Sequence, residues 1–460
     1  MEQTVTQKGH PKGLYLLFAT EMWERFSYYG MRGLLMLYMT KSVIEGGLGF
    51  NDDNAGLIYG IYTGLVYLTP IFGGWLADQF LGQRKSITIG GITMAVGQVC
   101  LFASGADNIS LFYFGLLLLI IGNGFFKPNI STIVGQLYAP DDKRKDAAFT
   151  IFYMGINLGA FLAPLVCGFL AEDYFAVKDA TGKVTQYGFG YGFLAAGIGM
   201  ILGQLLFNSL ASKLLGNLGI VPGGKQTKEN AAEEKQELTK EEKNRLTVIV
   251  IMMLFNIFFW AGFEQAGSSI SLYTDRYINR EIGFLDWTIP TSWFQSVNPF
   301  FIVLLGPVFT LLWTFLGNKD REPNSIIKMG MGMILLGVGF FLMIGAALER
   351  GGDNTDTAVK ANLMWLVGTY LIHTTGELCL SPVGLSLVTK LAPLRLGSLM
   401  MGVWFLSSFV ANFLSGYLVQ FFGKFGAMSI FGIIAGIVIF LGLVVVMLNK
   451  KLLTLMHGVR

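Results

Sequence analysis

Four ionisable side chains lie close together in an apolar stretch near the N terminus of this 460-residue sequence. They are Glu21, Glu24, Arg25 and Arg32, within LYLLFATEMWERFSYYGMRGLLMLYM. At about 100° per residue, all four share one helix face with Tyr28. A charge that faces lipid in the middle of a bilayer costs about 2.5–3.5 kcal/mol on insertion scales. This face must therefore line a protein interior or a watery cavity.

Three further ionisable residues, Lys127, Glu264 and Glu377, interrupt other apolar stretches. Carboxylates beside a cation in a poorly hydrated cavity are suited to carry protons, because taking up a proton releases the cation. Buried cations can bind an anionic group, and a guanidinium can do so with two parallel hydrogen bonds. The pattern predicts a polar site inside a membrane protein.

The overall composition agrees with a polytopic membrane protein. The sequence is 53% hydrophobic and 14% charged, with a mean hydropathy of +0.56 and 38 phenylalanines. Soluble domains carry about 25% charged residues. The three cysteines, Cys100, Cys167 and Cys379, lie in apolar segments, where we expect no disulfide.

Apolar runs of roughly 20 residues predict twelve membrane spans, six in each half of the chain. The spans of the first half are 14–40, 55–77, 86–105, 110–138, 147–171 and 189–216. The spans of the second half are 246–278, 293–316, 325–348, 361–390, 397–421 and 425–449.

The two halves predict an N-terminal six-helix bundle (1–217), a charge-rich cytoplasmic linker (218–245) and a C-terminal six-helix bundle (246–460). The seven buried charges fall on spans 1, 4, 7 and 10, the first members of four consecutive three-helix units. This regularity is typical of transporters built from repeated three-helix blocks around a central site.

The lysines and arginines predict the orientation of the chain. With a cytoplasmic N terminus, 22 of the 33 fall in inside segments and eight in outside segments. The positive-inside rule therefore places both termini in the cytoplasm.

Two stretches of the sequence resemble motifs of known transporters. The loop GGWLADQFLGQRK, at 73–85, resembles the cytoplasmic signature of the major facilitator superfamily. The run EMWERFSYYG, at 21–30, resembles the span-1 signature of the proton-dependent oligopeptide transporters, a branch of that superfamily. Further matches to this family are FYMGINLG (152–159), FEQAGSS (263–269), QSVNP (295–299), GELCLSPVGLSLVTKLAP (376–393) and GVWFL (402–406).

The resemblance covers nearly the whole chain and implies an all-α membrane protein with the major facilitator fold. It implies a proton-coupled symporter that imports di- and tripeptides by alternating access, a non-enzyme that needs no cofactor or metal. The expected partners are peptides, protons and the lipid bilayer, without nucleic acid, and a monomer suffices. The expected location is the plasma membrane, the inner membrane in bacteria. Many bacterial relatives carry an extra helix pair between the bundles, and the linker here is too short for one.

A site that accepts many peptides must recognise their shared carboxylate, ammonium and backbone. Arg25 and Lys127 can bind the carboxylate, and Glu377 can bind the ammonium. Asn157 and Asn298 can bond the amine or the peptide group. These assignments match the roles that the resemblance implies. The alternative is that the charges only pair with one another and hold helices together.

The proton-coupling residues that we expect are Glu21, Glu24, Arg25, Arg32 and Glu264, with Glu264 pairing with Arg32. A purely structural role for Glu21 remains open. By resemblance, the walls of the side-chain pockets comprise Tyr29, Tyr67, Tyr153, Trp260, Ser381 and Trp404, although aromatic residues in such helices often serve packing alone.

His373 lies one helical turn before Glu377 and could join a proton relay, but a ring hydrogen-bonded to a helix carbonyl is the favoured alternative. Pro128, next to Lys127, predicts a kink in span 4.

Three other functions compete with peptide import. An ATP-driven pump lacks its phosphate-binding loop, because Lys225 of the Gly-Gly-Lys run is followed by Gln226. An intramembrane enzyme would need paired catalytic groups or a histidine-rich metal site, and the chain has three histidines. The third is a carrier of the same fold for another anionic or zwitterionic solute, such as nitrate or a peptide-like compound. Glu377 argues against nitrate, because an anion alone has no need of a carboxylate.

Overall fold

Long α-helices make up most of the chain. The computed structural model describes residues 9–139, 142, 144–222, 238–285, 287–393 and 396–458. The helices of the N-terminal half are α1 Lys12–Thr40, α2 Asp52–Leu76, α3 Gln83–Phe102, α4 Ile109–Gln136, α5 Arg144–Phe169 and α6 Phe189–Leu215. Those of the C-terminal half are α7 Lys240–Phe263, α8 Ser269–Tyr277, α9 Val297–Gly317, α10 Ser325–Glu349, α11 Leu363–Leu391, α12 Gly397–Phe425 and α13 Ala427–Leu455.

Each predicted span coincides with a helical segment. In the described part of the chain, eleven helical segments are long and apolar enough to cross a membrane. Helix α1 has 29 residues and carries the four ionisable side chains in its middle, and it completes the predicted set of twelve. The fold is the all-α, twelve-helix fold of the major facilitator superfamily, as the sequence predicts.

The seventh span is interrupted where one continuous helix was expected. Helix α7 begins with a capping box, in which Thr239 accepts from the backbone of Glu242 and the Glu242 side chain accepts in return. It ends at Phe263, and a 3₁₀ turn, Glu264–Gly267, leads into α8. Such a turn within a helix leaves backbone groups to be satisfied by neighbours. The interruption falls on the FEQAGSS motif, which contains Glu264.

Two small antiparallel hairpins lie between helices. Strands β1 Val177–Lys178 and β2 Val184–Gln186 connect α5 to α6. Strands β3 Glu281–Ile282 and β4 Trp287–Thr288 lie between α8 and α9, with Ile282 opposite Trp287. The remaining short turns are π turns at Ala77–Leu81 and Leu170–Tyr174 and 3₁₀ turns at Ala106–Asn108, Gly283–Leu285 and Thr291–Ser296.

The chain forms two compact units that do not follow chain order strictly. Unit 1 comprises Met1–Leu34, Val43–Leu48 and Leu68–Glu233, and unit 2 comprises Leu35–Ser42, Gly49–Tyr67 and Glu234–Arg460. The end of α1 and most of α2 thus pack within unit 2. The division at 217 and 245 stays a prediction.

In unit 2, α2 and α12 approach so closely that their contact requires glycine. A Cβ added to Gly416 would overlap the carbonyl oxygen of Gly56 and the backbone of Gly60. A Cβ added to Gly60 would overlap the carbonyl oxygen of Phe413. Small residues permit such close helix packing in membranes.

We expect Gly416→Ala to destabilise the protein, because the extra methyl group forces these two backbones apart. Overpacking of this kind costs about 1–3 kcal/mol, equivalent to a melting temperature lower by roughly 1–3 °C. Thermal unfolding of the purified protein in detergent measures the effect. Gly402→Ala in the same helix is the matched control, since an added Cβ meets nothing within 4 Å. Equal melting temperatures for both variants would contradict the packing argument.

Candidate functional site

The carboxylates of Glu21 and Glu24 both contact the guanidinium of Arg25 in the middle of α1. Arg25 Nε lies 3.3 Å from Glu21 Oε1 and also contacts Glu24 Oε2. Arg25 Nη2 donates to Glu24 Oε1 at 2.7 Å. The three residues are 2%, 0% and 3% exposed, in chain order. Two buried carboxylates therefore share one cation, and Glu21 Oε2 has no hydrogen-bond partner among the described residues.

Helix α4 supplies two groups to the same cluster. Asn123, which is 1% exposed, donates its Nδ2 hydrogen to Glu24 Oε1 at 3.2 Å. Lys127 lies one turn further along α4, and its positive charge acts on Glu21. Pro128 follows within the same helix. Lys127 thus supplies a second cation to a site that holds two carboxylates.

Helix α5 positions α1 through a glycine of the FYMGINLG motif. A Cβ added to Gly159 would overlap the carbonyl oxygen of Met22 and press on the Cβ of Arg25. Asn157 is buried and donates its amide hydrogen to the carbonyl oxygen of Tyr153, at 3.0 Å. The predicted pocket residue Tyr153 is 46% exposed.

The remaining predicted residues of unit 1 lie on the next turns of α1. The guanidinium carbon of Arg32 lies 5.9 Å from the ring centroid of Tyr29. Tyr29 packs edge-on against Tyr28, and the Tyr28 ring lies 5.2 Å from the guanidinium carbon of Arg25. Both arginines are therefore flanked by aromatic rings, which stabilise a cation.

Five predicted residues of unit 2 line one cavity of about 120 Å³. The cavity has room for several water molecules. Its lining residues are Tyr67, Asn256, Trp260, Glu264, Ser381, Trp404, Phe405, Ser408 and Asn412. Glu264, in the 3₁₀ turn after α7, is the carboxylate of this cavity and is 5% exposed.

Glu377 is held by α9. Asn298 donates its amide hydrogens to Glu377 Oε2 at 2.8 Å and to Thr374 Oγ1 at 3.0 Å. Glu377 is 8% exposed, and the charge of Glu264 acts on it. Because two carboxylates repel when both are ionised, this part of unit 2 favours binding a cation or taking up a proton.

His373 has the surroundings of a packed side chain. Its ring is 2% exposed, and its Nε2 has no hydrogen-bond partner among the described residues. It packs against Phe340, with ring centroids 4.8 Å apart, and leaves no space for a Cβ on Gly339. These contacts favour the structural alternative over a proton relay.

Sequence reasoning missed several polar residues that complete the site. Asn123 precedes Lys127 by one helical turn, and Asn256 precedes Trp260 in the same way. Ser408 and Asn412 follow Trp404 by one and two turns on α12 and join it in the cavity. The helical repeat of 3.6 residues, applied outward from the predicted residues, is the signal that finds them.

The residues of the site can bind charged groups and exchange protons. No cluster of three or more His, Cys, Asp or Glu suited to a metal ion occurs in the described ranges. A twelve-helix membrane fold with buried cations, buried carboxylates and a polar cavity defines a solute carrier.

Comparison with known proteins identifies the family. The model of the POT family matches residues 84–214 and 209–434. A di-/tripeptide transporter of Lactococcus lactis subsp. cremoris is 34% identical, over 98% of each chain. A peptide transporter of Yersinia enterocolitica is 34% identical, over 89% of this chain and 87% of the relative. The chain belongs to the POT family of peptide transporters.

The solved structures agree with this assignment. The crystal structure of a mutant peptide transporter of the POT family in complex with alafosfalin superposes with a TM-score of 0.87. It is 35% identical and covers 99% of this chain and 98% of the other. The family consists of transporters, and no catalytic activity is indicated for them.

Proposed function

We propose that this chain is a proton-coupled symporter that imports di- and tripeptides by alternating access. The observation that carries the proposal is the buried cluster of α1, in which Arg25 is shared by Glu21 and Glu24. Its groups can exchange a proton and can bind an anionic substrate group. The family assignment and the di-/tripeptide transporter among the relatives support the same function.

The proposed substrate contacts follow the charges of a peptide. In unit 1, Arg25 and Lys127 bind the peptide carboxylate. In unit 2, Glu377 binds the ammonium group, and Asn298, which already donates to Glu377, keeps that carboxylate oriented. Asn157 bonds the peptide backbone. Each terminus thereby gains an opposite charge in a poorly hydrated place, where such contacts are strong.

The side-chain pocket of the proposed site is the cavity of unit 2. Its predicted members, Tyr67, Trp260, Ser381 and Trp404, combine two indole rings with two hydroxyl groups. Broad apolar surfaces with few directional groups accept side chains of many shapes. Tyr29 and Tyr153 remain proposed pocket residues on unit 1.

Proton coupling is proposed to act through competition for Arg25. Protonation of Glu21 or Glu24 removes a negative charge from the guanidinium, so Arg25 becomes available to the peptide carboxylate. Glu264 is the proposed proton-sensitive group of unit 2. The pairing of Glu264 with Arg32 stays a prediction.

A carrier for another anionic or zwitterionic solute is the alternative function. The proximity of Glu264 and Glu377 in unit 2 disfavours a simple anion such as nitrate, because both carboxylates repel it. A peptide-like zwitterion satisfies the same charges as a peptide. We propose that the protein spans the bacterial inner membrane with both termini in the cytoplasm and that a monomer is sufficient for transport.

We expect purified protein in liposomes to accumulate labelled dialanine only when protons flow inward. Uptake is measured with an imposed inward proton gradient, without it, and with the gradient collapsed by an ionophore. The accumulated label should be unchanged dialanine, which separates transport from enzymatic conversion. Unlabelled nitrate should not compete.

Equal accumulation with and without the gradient would exclude proton coupling. Competition by nitrate with no competition by unlabelled dipeptides would favour the alternative solute. Empty liposomes under the same gradient are the control for leakage.

A further inference from the structure

The cavity of unit 2 has one continuous wall made by two helices. Helix α7 and the turn after it supply Asn256, Trp260 and Glu264, and α12 supplies Trp404 and its neighbours. Glu264 follows the last residue of α7, so its direction depends on how that helix end is held. The backbone groups at a helix end in apolar surroundings cost free energy unless they find hydrogen-bond partners.

The first contact between α7 and α12 is made by Asn256. This residue is 0% exposed, and its Nδ2 donates to Ser407 Oγ at 3.0 Å. Its Oδ1 accepts the indole hydrogen of Trp260 Nε1 at 3.1 Å. One amide therefore joins α7 to α12 and orients the indole ring in the cavity wall.

The second contact lies beyond the cavity, where α7 ends. Gln265 is 0% exposed and directly follows Glu264. Its Nε2 donates to the carbonyl oxygen and hydroxyl of Ser415 on α12, at 3.1 and 3.2 Å, and to the carbonyl oxygen of Ala261 at 3.0 Å. Its Oε1 accepts from Ser269 Oγ at 2.7 Å. The side chain thus bridges the interruption between α7 and α8 and ties it to α12.

We infer that Asn256 and Gln265 are positioning residues that clamp the α7 wall to α12 at both ends of the cavity. The contacts Asn256–Ser407 and Gln265–Ser415 bracket Trp260 and Glu264. Between these two points, the wall has a defined register against α12. The clamp deepens the proposed function and rests on it, because it sets the orientation of a substrate-pocket residue and a proton-coupling residue.

Loss of each end of the clamp has a different expected consequence. Loss of Asn256 releases the indole of Trp260, so the shape of the side-chain pocket changes. Loss of Gln265 leaves the helix interruption without its bridge, so Glu264 turns away from the cavity. A residue that only stabilised the fold would affect both properties together.

The Gln265 end of the clamp can be tested without a transport assay. The measurement is the rate at which a thiol reagent alkylates a cysteine introduced at position 264. The background is Glu264→Cys with Cys100→Ser, since Cys167 and Cys379 are buried. A polar thiol reagent should react through the cavity. Adding Gln265→Met should slow the reaction by roughly fivefold or more, because buried hydrogen bonds of this kind are lost. Gln204→Met is the matched control, since Gln204 is a buried amide that donates to Asn208 on its own helix.

Transport assays test both ends in the chain with its native cysteines. Gln265→Met should lower proton-driven dialanine uptake about tenfold while peptide-for-peptide counterflow stays within about twofold of wild type. Asn256→Leu should change the ratio of uptake of bulky to small dipeptides by about fivefold, with the response to the proton gradient retained.

If Gln265→Met does not fold, Ser415→Ala replaces it, and if Asn256→Leu does not fold, Ser407→Ala replaces it. Each serine variant removes the α12 hydroxyl of one contact and leaves the side chain on the α7 side unchanged. Ser415→Ala should lower proton-driven dialanine uptake, and Ser407→Ala should change the ratio of uptake of bulky to small dipeptides. Each effect should be smaller than that of the variant it replaces.

The outcomes separate the clamp from the function on which it rests. If Gln265→Met slows the reaction at position 264 and the wild-type protein transports no peptide, the clamp is supported and the proposed function is removed. An unchanged reaction rate, together with driven uptake and counterflow reduced by one common factor, overturns the clamp and leaves peptide transport intact.

Discussion

Replacing Lys127 with alanine is expected to abolish proton-driven peptide uptake. Lys127 lies in α4, and its charge acts on Glu21, which already competes with Glu24 for Arg25. Removing Lys127 leaves two buried carboxylates with one cation, so Arg25 stays bound to them and the peptide carboxylate loses both partners. A charge-assisted hydrogen bond is worth about 1.5–3 kcal/mol, so binding should weaken at least roughly tenfold.

The proposed binding of the peptide carboxylate by Arg25 and Lys127 also predicts how the wild-type protein treats modified peptides. A dipeptide amidated at its C terminus has no carboxylate for Arg25 and Lys127, so it should compete poorly with labelled dialanine. The measurement is competition for gradient-driven uptake in liposomes. Lys213→Ala, which removes an exposed charge near the end of α6, is the control and should transport like wild type. If amidated and free peptides compete equally, the assigned role of these cations is wrong.

Replacing Glu264 with glutamine is expected to abolish proton-driven accumulation and to spare peptide exchange. Glu264 is buried in the cavity of unit 2, and its charge acts on Glu377. Glutamine keeps the shape of the side chain but can neither bind nor release a proton. If Glu264 pairs with Arg32 as predicted, breaking that desolvated pair typically costs about 3–5 kcal/mol, enough to shift a conformational balance by well over tenfold. The proposed peptide contacts of Arg25, Lys127 and Glu377 remain.

The comparison of driven uptake with peptide-for-peptide counterflow decides this prediction. Counterflow should persist in Glu264→Gln, whereas accumulation should not exceed that seen without a gradient. Glu281→Gln, an exposed carboxylate of β3, is the matched control and should accumulate normally. Full driven uptake in Glu264→Gln would remove Glu264 from the coupling mechanism. Loss of both activities in a folded protein would make it a substrate residue or a structural one.

The interruption of the seventh span between α7 and α8 is a feature that the sequence did not predict. The FEQAGSS motif lies in an apolar run that reads as one span, yet the helix ends at Phe263 and resumes at Ser269. Hydropathy reports how well a segment fits lipid, and it carries no signal for a break in the helix. The interruption depends on Gln265 finding hydrogen-bond acceptors on α12, and these lie about 150 residues away in sequence.

The sequence alone determined which segments of this protein form membrane-spanning helices and which face of α1 carries the charges. Apolar runs predicted all twelve spans, and helical periodicity placed Glu21, Glu24 and Arg25 on one face of α1, where the structure joins them. These properties are local, because hydropathy and the helical repeat depend on neighbouring residues. The family resemblance added the candidate residues from which the remaining site could be assembled.

Only the tertiary structure decided which elements meet. It places Tyr67, from the first half of the chain, in a cavity with Trp260 and Trp404. It also brings Asn298 within 2.8 Å of Glu377 and ties Asn256 to α12. Many faces of these helices are equally apolar, so their pairing depends on complementary shape and on hydrogen bonds between distant segments. Those interactions arise when the helices pack, and no local pattern records them.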